Sequence, residues 1–311
     1  MKPVVFIDGE AGTTGLQIHN LLSGRNDIEL ISLPENERRN LVKRSEIIND
    51  CNIAILCLPD DAAMEAVSFI QNTGVRVLDA SSAHRTAKSW VYGLPELEKG
   101  HIEKISLASR VSNPGCYPTG AILMLRPLIL KGILPPHYPI NIHATSGYSG
   151  SGKALINAYE DPNSTNYTTI PFCSYGLNLN HKHLPEIQSQ SLLDFSPIFS
   201  PNYGNYRQGI ILNIPIHLRL LPDTVTPQQV RDVLTKYYEG SRFIKVMNVQ
   251  GVENTNQLHP EYLNNTNELH IYVFSNENND QILLSAVYDN LGKGAARAAV
   301  QNLNLMLNVN D

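Results

Sequence analysis

The sequence predicts an α/β chain in two parts, a doubly wound parallel sheet followed by an α+β part with a mainly antiparallel sheet. Three observations predict this. A short apolar strand meets a glycine loop and a helix at the very start, Val4 to Leu22. Strand-like and helix-like runs then alternate as far as Ser112, the pattern of a sheet with helices on both faces. Beyond Ile140, strand-like runs follow one another with few helices between them, as in an α+β sheet.

Bulk properties narrow the classes. The chain has 311 residues, 42% hydrophobic and 17% charged, which is globular and large enough for two domains. The net charge is -5 with no basic block, which argues against nucleic acid as a partner. Four cysteines, Cys51, Cys57, Cys116 and Cys173, form no disulfide framework, so a reducing cytoplasm is expected. Met1-Lys2-Pro3-Val4 enters a strand directly, so no signal peptide is expected. No apolar run reaches the ~18 residues of a membrane span.

In the first part, Val4–Ile7 is followed by Asp8-Gly9-Glu10-Ala11-Gly12-Thr13-Thr14-Gly15 and then by an apolar helical run. Glycines at 9, 12 and 15 let the backbone approach a pyrophosphate, with Thr13 and Thr14 at the helix start facing its charge. This predicts a Rossmann-type dinucleotide-binding domain. After the second strand, Glu29–Leu33, an acidic residue at the strand end would hold the ribose of NAD. Leu33-Pro34 stands there instead, with Glu35 two residues on and Arg38 and Arg39 following. Paired arginines suit the extra phosphate of NADP; Glu35 leaves NAD open. Ile53–Pro59 is a strand buried on both faces. Val75–Asp79 is the next strand, and Ser81, Ser82 and Arg85 follow its carboxyl end, where ligands bind in such sheets. Arg85 is either an anion clamp or a loop arginine in an ordinary ion pair.

Ser112-Asn113-Pro114-Gly115-Cys116-Tyr117-Pro118-Thr119 comes next. The spacing predicts a helix from Ala121 with Thr119 as its cap, which places the Cys116 sulfur at or just before a helix N-terminus. Backbone N–H groups there favour a thiolate. Ser146–Ala154 nearly matches a phosphate loop, with Gly147, Gly152 and Lys153 in register but alanine where a magnesium-binding hydroxyl belongs. An ATPase is therefore not expected. An anion-binding loop is, through backbone N–H groups and Lys153. His181, His183 and Glu186 form a polar cluster too small for a zinc site, so no metal is expected and an acid/base role is.

At this point the chain resembles the N-acetyl-gamma-glutamyl-phosphate reductase family. The octapeptide around Cys116 is similar to that family's active-site signature, and Trp90-Val91-Tyr92-Gly93-Leu94-Pro95-Glu96-Leu97 to its Tyr-Gly-Leu-Pro-Glu segment. His181–Ile187 and Asp289-Asn290-Leu291-Gly292-Lys293-Gly294-Ala295-Ala296 resemble two further family segments. The chain departs from the family at Ala295-Ala296-Arg297, where many members carry a further glycine, and at His84, where Phe often precedes the arginine.

The resemblance implies a fold akin to aspartate-semialdehyde dehydrogenase. The NADP domain would span 1–116, completed by a C-terminal helix in 289–311, and the catalytic and oligomerisation domain 117–288. It implies NADPH-dependent reduction of an acyl phosphate through a thioester, a step of arginine biosynthesis. Cys116 would be the nucleophile, placed where the domains meet. His181 would be the acid/base, with His183 the alternative ring. Arg85, Ser149, Lys153, His183 and Glu186 would bind substrate. Gly9, Gly12, Thr13, Thr14, Gly15, Arg38, Arg39, Ser81, Ser82, Asn290 and Lys293 would bind the cofactor. A homodimer or homotetramer in the cytoplasm is implied. The alternatives are a related semialdehyde dehydrogenase of aspartate or aminoadipate type, or a non-catalytic NADP-binding protein.

Overall fold

A computed structural model describes residues 1–222, 224–248 and 257–309. It divides into two compact units, one of Met1–Gly115 with Ala295–Asp311 and one of Cys116–Gly294.

The first unit carries β1 (Val4–Asp8), α1 (Thr13–Leu22), β2 (Glu29–Ile31), α2 (Leu41–Asp50), β3 (Ile53–Leu56), α3 (Asp60–Ser68), β4 (Arg76–Asp79), β5 (Val91–Tyr92), α4 (His101–Leu107) and β6 (Arg110–Ser112). The strands form one parallel sheet in the order β2-β1-β3-β4-β6-β5. Alternation along β1 sorts the core. Val5 and Ile7 face a cluster with Ile18, Leu22, Ile105 and Leu303, while Phe6 faces one with Ile48, Ala63 and Ala66. Every residue of β3 is buried, as its continuous apolar run requires. The strand order reverses between β1 and β3, and the glycine loop after β1 lies at that switch point.

The second unit carries α5 (Cys116–Leu130), β7 (Asn141–Gly147), α6 (Lys153–Glu160), β8 (Phe172–Ser174), α7 (Leu184–Ser191), β9 (Ile198–Gly204), β10 (Ile210–His217), α8 (Pro227–Tyr237), β11 (Ile244–Val246), β12 (Leu269–Ser275) and β13 (Gln281–Tyr288). Its sheet runs β11-β12-β13-β10-β7-β9-β8. Only the β11/β12 and β7/β9 pairs are parallel, so the expected mainly antiparallel sheet is found. α8 begins as expected, with Thr226 as cap, Pro227 first and Gln229 closing a capping box. Ile210, Leu212, Ile214 and Ile216 are buried, whereas the alternate residues Ile211, Asn213 and Pro215 stay half-exposed.

The expected start of α5 at Ala121 is corrected. The helix begins at Cys116, and Thr119 lies inside it. Pro118 does not prevent this, because a first-turn N–H has no helical partner to lose. Pro127, deeper in α5, cannot donate to the Leu123 carbonyl, and the Tyr238 hydroxyl donates to that oxygen instead at 2.6 Å.

The chain ends in α9 (Arg297–Leu307), whose Ala299, Leu303 and Met306 pack into the same core as Ile18 and Leu22. Residues 289–294 fall in the second unit, because Asp289 and Asn290 bond to Asn265, Gly209 and Ser149. Residues 310 and 311 of the expected terminal segment lie outside the described residues.

Candidate active site

In the first unit the glycine loop is shaped by close backbone approach. Gly9 has φ +90°, and a Cβ there would lie 2.4 Å from the Cys57 carbonyl oxygen. A Cβ on Gly15 would lie 2.4 Å from the Gly9 oxygen. At Gly12 the nearest atom would be 3.5 Å away, an ordinary contact. Gly12 caps α1 with no side chain, so the first-turn N–H groups of Thr13, Thr14 and Gly15 have no side-chain cap. That is the donor set an anion needs at a helix start, and it fits the pyrophosphate of a dinucleotide.

Around the loop the polar side chains are largely committed. Arg38 is half-buried, its Nε donating 3.2 Å to the Leu33 carbonyl, while Arg39 is exposed. The Ser81 hydroxyl donates to Asp79 and the Ser82 hydroxyl to Asp60, both at 2.7 Å. Arg85 is buried, its guanidinium donating to the carbonyls of Asn113 at 2.9 Å and Ala80 at 3.1 Å. One feature escaped the sequence reading. Asp8, at the end of β1, is buried with Arg44 of α2 in an ion pair of 2.9 Å. Burial pushes the Asp8 carboxyl up, and the hydrogen bond and charge of Arg44 oppose it. No local pattern marks Arg44, which lies in an ordinary charged run, and only the packing of α2 on β1 pairs it with Asp8.

In the second unit Cys116 is the first residue of α5 and is half-exposed. Its neighbour Tyr117 is buried, and the rings of His181 and His183 stand edge-on to it at 6.1 and 5.9 Å. The Tyr175 hydroxyl donates to the Tyr117 hydroxyl at 3.2 Å, which in turn donates to the Asn202 carbonyl. The structure thus brings the histidine segment onto the residue that follows Cys116. His183 and Glu186 are buried, and His181 is half-buried. The His181 Nδ1 accepts from the His183 backbone N–H at 3.2 Å, so the neutral ring keeps its hydrogen on Nε2. Burial, helped by the charge of Lys182, lowers its pKa to about 4.

The expected cradle at 147–153 is closed over its first three residues. The N–H groups of Gly147, Tyr148 and Ser149 are donated to the carbonyls of Gly209, Tyr206 and Arg207. A cradle needs unpaired N–H groups, and these are spent on the neighbouring segment. Lys153 opens α6 and is exposed. Ser149 is buried and its hydroxyl accepts from Asn290, whose amide oxygen takes the Gly209 N–H at 2.7 Å. Both ends of the Asn290 amide therefore brace the second unit. Lys293 is fully buried, its ammonium 5.4 Å over the Phe243 ring.

Among known proteins, a profile described as semialdehyde dehydrogenase, NAD binding domain, matches residues 4–105, and one described as semialdehyde dehydrogenase, dimerisation domain, matches 116–290. N-acetyl-gamma-glutamyl-phosphate reductase 2 of Pseudomonas putida is 54% identical over 98% of this chain and 97% of its own. The reductase of Burkholderia lata is 54% identical over 100% and 98%. The chain belongs to the N-acetyl-gamma-glutamyl-phosphate reductase family. A more distant member, from Rhizobium etli, is 46% identical over 99% of both chains.

The family's fold is shared more widely. Aspartate semialdehyde dehydrogenase II of Vibrio cholerae, solved with ASA, superimposes with a TM-score of 0.72 over 99% of both chains at 17% identity. The Candida albicans aspartate semialdehyde dehydrogenase, solved with NADP, does so with a TM-score of 0.64 at 13% identity over 99% of both chains. Among the described residues no helix is long and apolar enough to cross a membrane, and no group of three or more His, Cys, Asp or Glu could hold a metal.

Proposed function

We propose that this protein reduces N-acetyl-L-glutamyl 5-phosphate to N-acetyl-L-glutamate 5-semialdehyde with release of phosphate, using NADPH, as a step of arginine biosynthesis. The observation that carries this reading is the 54% identity to reductases of that name along essentially the whole chain. The placement of Cys116 at a helix start, next to a tyrosine flanked by two histidines, supports it.

In the first unit the glycine loop and the first-turn N–H groups of Thr13 and Thr14 hold the pyrophosphate, and Arg38 and Arg39 lie beyond β2 to meet a ribose phosphate. Arg85, oriented by two backbone carbonyls, is the partner for an anionic group of the substrate. In the second unit the Cys116 thiolate attacks the acyl carbon. A C–S bond forms, the C–O bond to phosphate breaks, and its electron pair leaves with phosphate, which takes up the one proton consumed. Bound NADPH supplies hydride to the thioester carbonyl. The resulting oxyanion collapses to the aldehyde and expels the thiolate, regenerating Cys116. His181 donates from Nε2 to that oxygen while charge develops on it. With a pKa of about 4 the ring is neutral at neutral pH, which favours hydrogen-bond donation over full proton transfer.

The assay is phosphate-dependent reduction of NADP by N-acetylglutamate semialdehyde, the reverse reaction. Cys116→Ser is expected to lower its rate by about 10³-fold or more. Near-full activity of that variant removes the thioester, and faster turnover of aspartate semialdehyde by the wild type moves the protein to another substrate.

The depressed pKa of His181 has a stability consequence. Its folded value, about 4, lies below the ordinary 6.5, so the stability of the buried neutral ring is complete above 6.5 and is lost as pH falls toward 4. Urea midpoints at about pH 7 and about pH 5 are expected to differ less in His181→Gln than in the wild type.

The homo-oligomer is a homodimer or homotetramer, a reading supported by the partly uncovered face of the second sheet, where Ile211, Pro215, Phe274 and Leu283 are half-exposed or exposed. Light scattering of the purified protein tests it. No disulfide joins the four cysteines, all of them among the described residues, which suits work in the cytoplasm.

A further inference from the structure

We infer that Tyr288 is a positioning residue for Cys116, its hydroxyl locking the first turn of the helix on which the nucleophile stands. The inference rests on the reading of Cys116 as the nucleophile. Tyr288 ends β13 and is fully buried, 0% exposed. Its hydroxyl donates to the Cys116 carbonyl at 2.8 Å, and the Gly120 backbone hydrogen-bonds the same hydroxyl. One phenol therefore ties residue 116 to residue 120 across the first turn of α5.

Gly120 makes the contact possible. A Cβ there would lie 2.7 Å from Cε1 and 2.8 Å from the hydroxyl oxygen of Tyr288. Glycine inside a helix costs about 1 kcal/mol relative to alanine, so helix propensity does not account for it. Admitting the phenol does. The ring alone would fill the same space as phenylalanine, and a buried hydroxyl costs free energy unless it is bonded. Burial holds the Tyr288 phenol well above its ordinary pKa, so it remains a donor across the working pH range.

A second brace comes from the same segment. A Cβ on Gly294 would lie 3.1 Å from the Cys116 Cβ and 3.3 Å from its Cα, and the Gly294 N–H donates to the Asp289 carbonyl at 2.9 Å. Residues 288–294 thus hold Cys116 at its carbonyl and pass so close to its Cβ that a side chain at 294 would crowd it. The carbonyl bond sets the tilt of the Cys116 peptide and so the direction in which its side chain leaves the first turn, whose N–H groups favour a thiolate.

The test is Tyr288→Phe, read by the pH profile of iodoacetamide alkylation at the Cys116 peptide, resolved by mass spectrometry from Cys51, Cys57 and Cys173. Alkylation near neutral pH is expected to slow about fivefold and the profile to move upward, with kcat down about tenfold and the KM for NADP unchanged. A profile superimposable on the wild type overturns the inference, whatever happens to turnover. If Tyr288→Phe fails to fold, Gly120→Ala, whose Cβ would press on the Tyr288 hydroxyl and displace it from the Cys116 carbonyl, takes its place with the same two outcomes. Alkylation needs no substrate, so a wild type without reductase activity sinks the proposed reaction and still leaves this comparison decisive.

Discussion

Two strand–glycine–helix segments look alike in the sequence and differ in where their backbone N–H groups go. In the first unit, Gly9 and Gly15 admit close backbone approach, each with a carbonyl oxygen 2.4 Å from where a Cβ would be. The loop is folded tightly on itself, and the helix that follows starts with uncapped N–H groups. In the second unit, Gly147 is approached as closely, by the Arg207 carbonyl oxygen 2.4 Å from where a Cβ would be, while Gly152 has φ +87° and nothing within 4 Å of its missing Cβ. There the N–H groups of Gly147, Tyr148 and Ser149 are already paired. The first loop leads into a helix start whose donors suit an anion; in the second, residues 147–149 spend their donors on the neighbouring segment, although α6 after Gly152 starts without a side-chain cap as α1 does. A glycine pattern reports where side chains are excluded, and only the partners of the N–H groups say whether an anion fits.

The comparison can be broken most directly at Gly9. Gly9→Ala combines a left-handed φ with a backbone clash, so about 3 kcal/mol or more of stability is expected to go. Urea unfolding measures it, and a loss below about 1 kcal/mol would show that the loop gives way easily. Gly12→Ala is a finer probe, because its Cβ meets only ordinary contacts in the protein. Its stability should hold while NADP affinity, followed by fluorescence, falls about tenfold through loss of close approach. If affinity is unchanged, the loop is not the pyrophosphate site. Gly152→Ala and Lys153→Ala are expected to have the smallest effects on NADP binding. The first should cost about 1–3 kcal/mol of stability, because φ +87° with ψ −176° is a conformation kept almost to glycine, and the second should change stability by less than about 0.5 kcal/mol. A large rise in the substrate KM for Lys153→Ala would restore an anion role to that segment.

The departure at residue 84 also has a structural account. His84, standing where Phe often precedes the arginine, stacks on Trp90 at 4.1 Å and bonds Asp79 through Nδ1 at 2.6 Å. The imidazole keeps the flat apolar contact of an aromatic ring and adds a polar bond to a buried carboxylate. A single sequence does not reveal that bond, because the irregular loop between Asp79 and Trp90 has no period that says which side chains meet.

The sequence by itself determined the two-part architecture. Its carriers are local: β1 and β3 are apolar runs, the helices between them have helical spacing, and later strands follow without intervening helices. Period and composition are properties of neighbours along the chain, so they can be read without a fold. The glycine loop, Cys116 and the histidine pair were legible for the same reason, since each lies within a few residues of its own motif. Tertiary structure alone decided the rest. It started α5 at Cys116 rather than Ala121, because Pro118 is harmless in a first turn and Tyr288, 172 residues away, bonds the Cys116 carbonyl. It closed the cradle at 147–149 by laying residues 206–209 against it, and it paired Asp8 with Arg44. Each is a matter of which polar group meets which, and burial enforces that pairing between segments far apart in sequence.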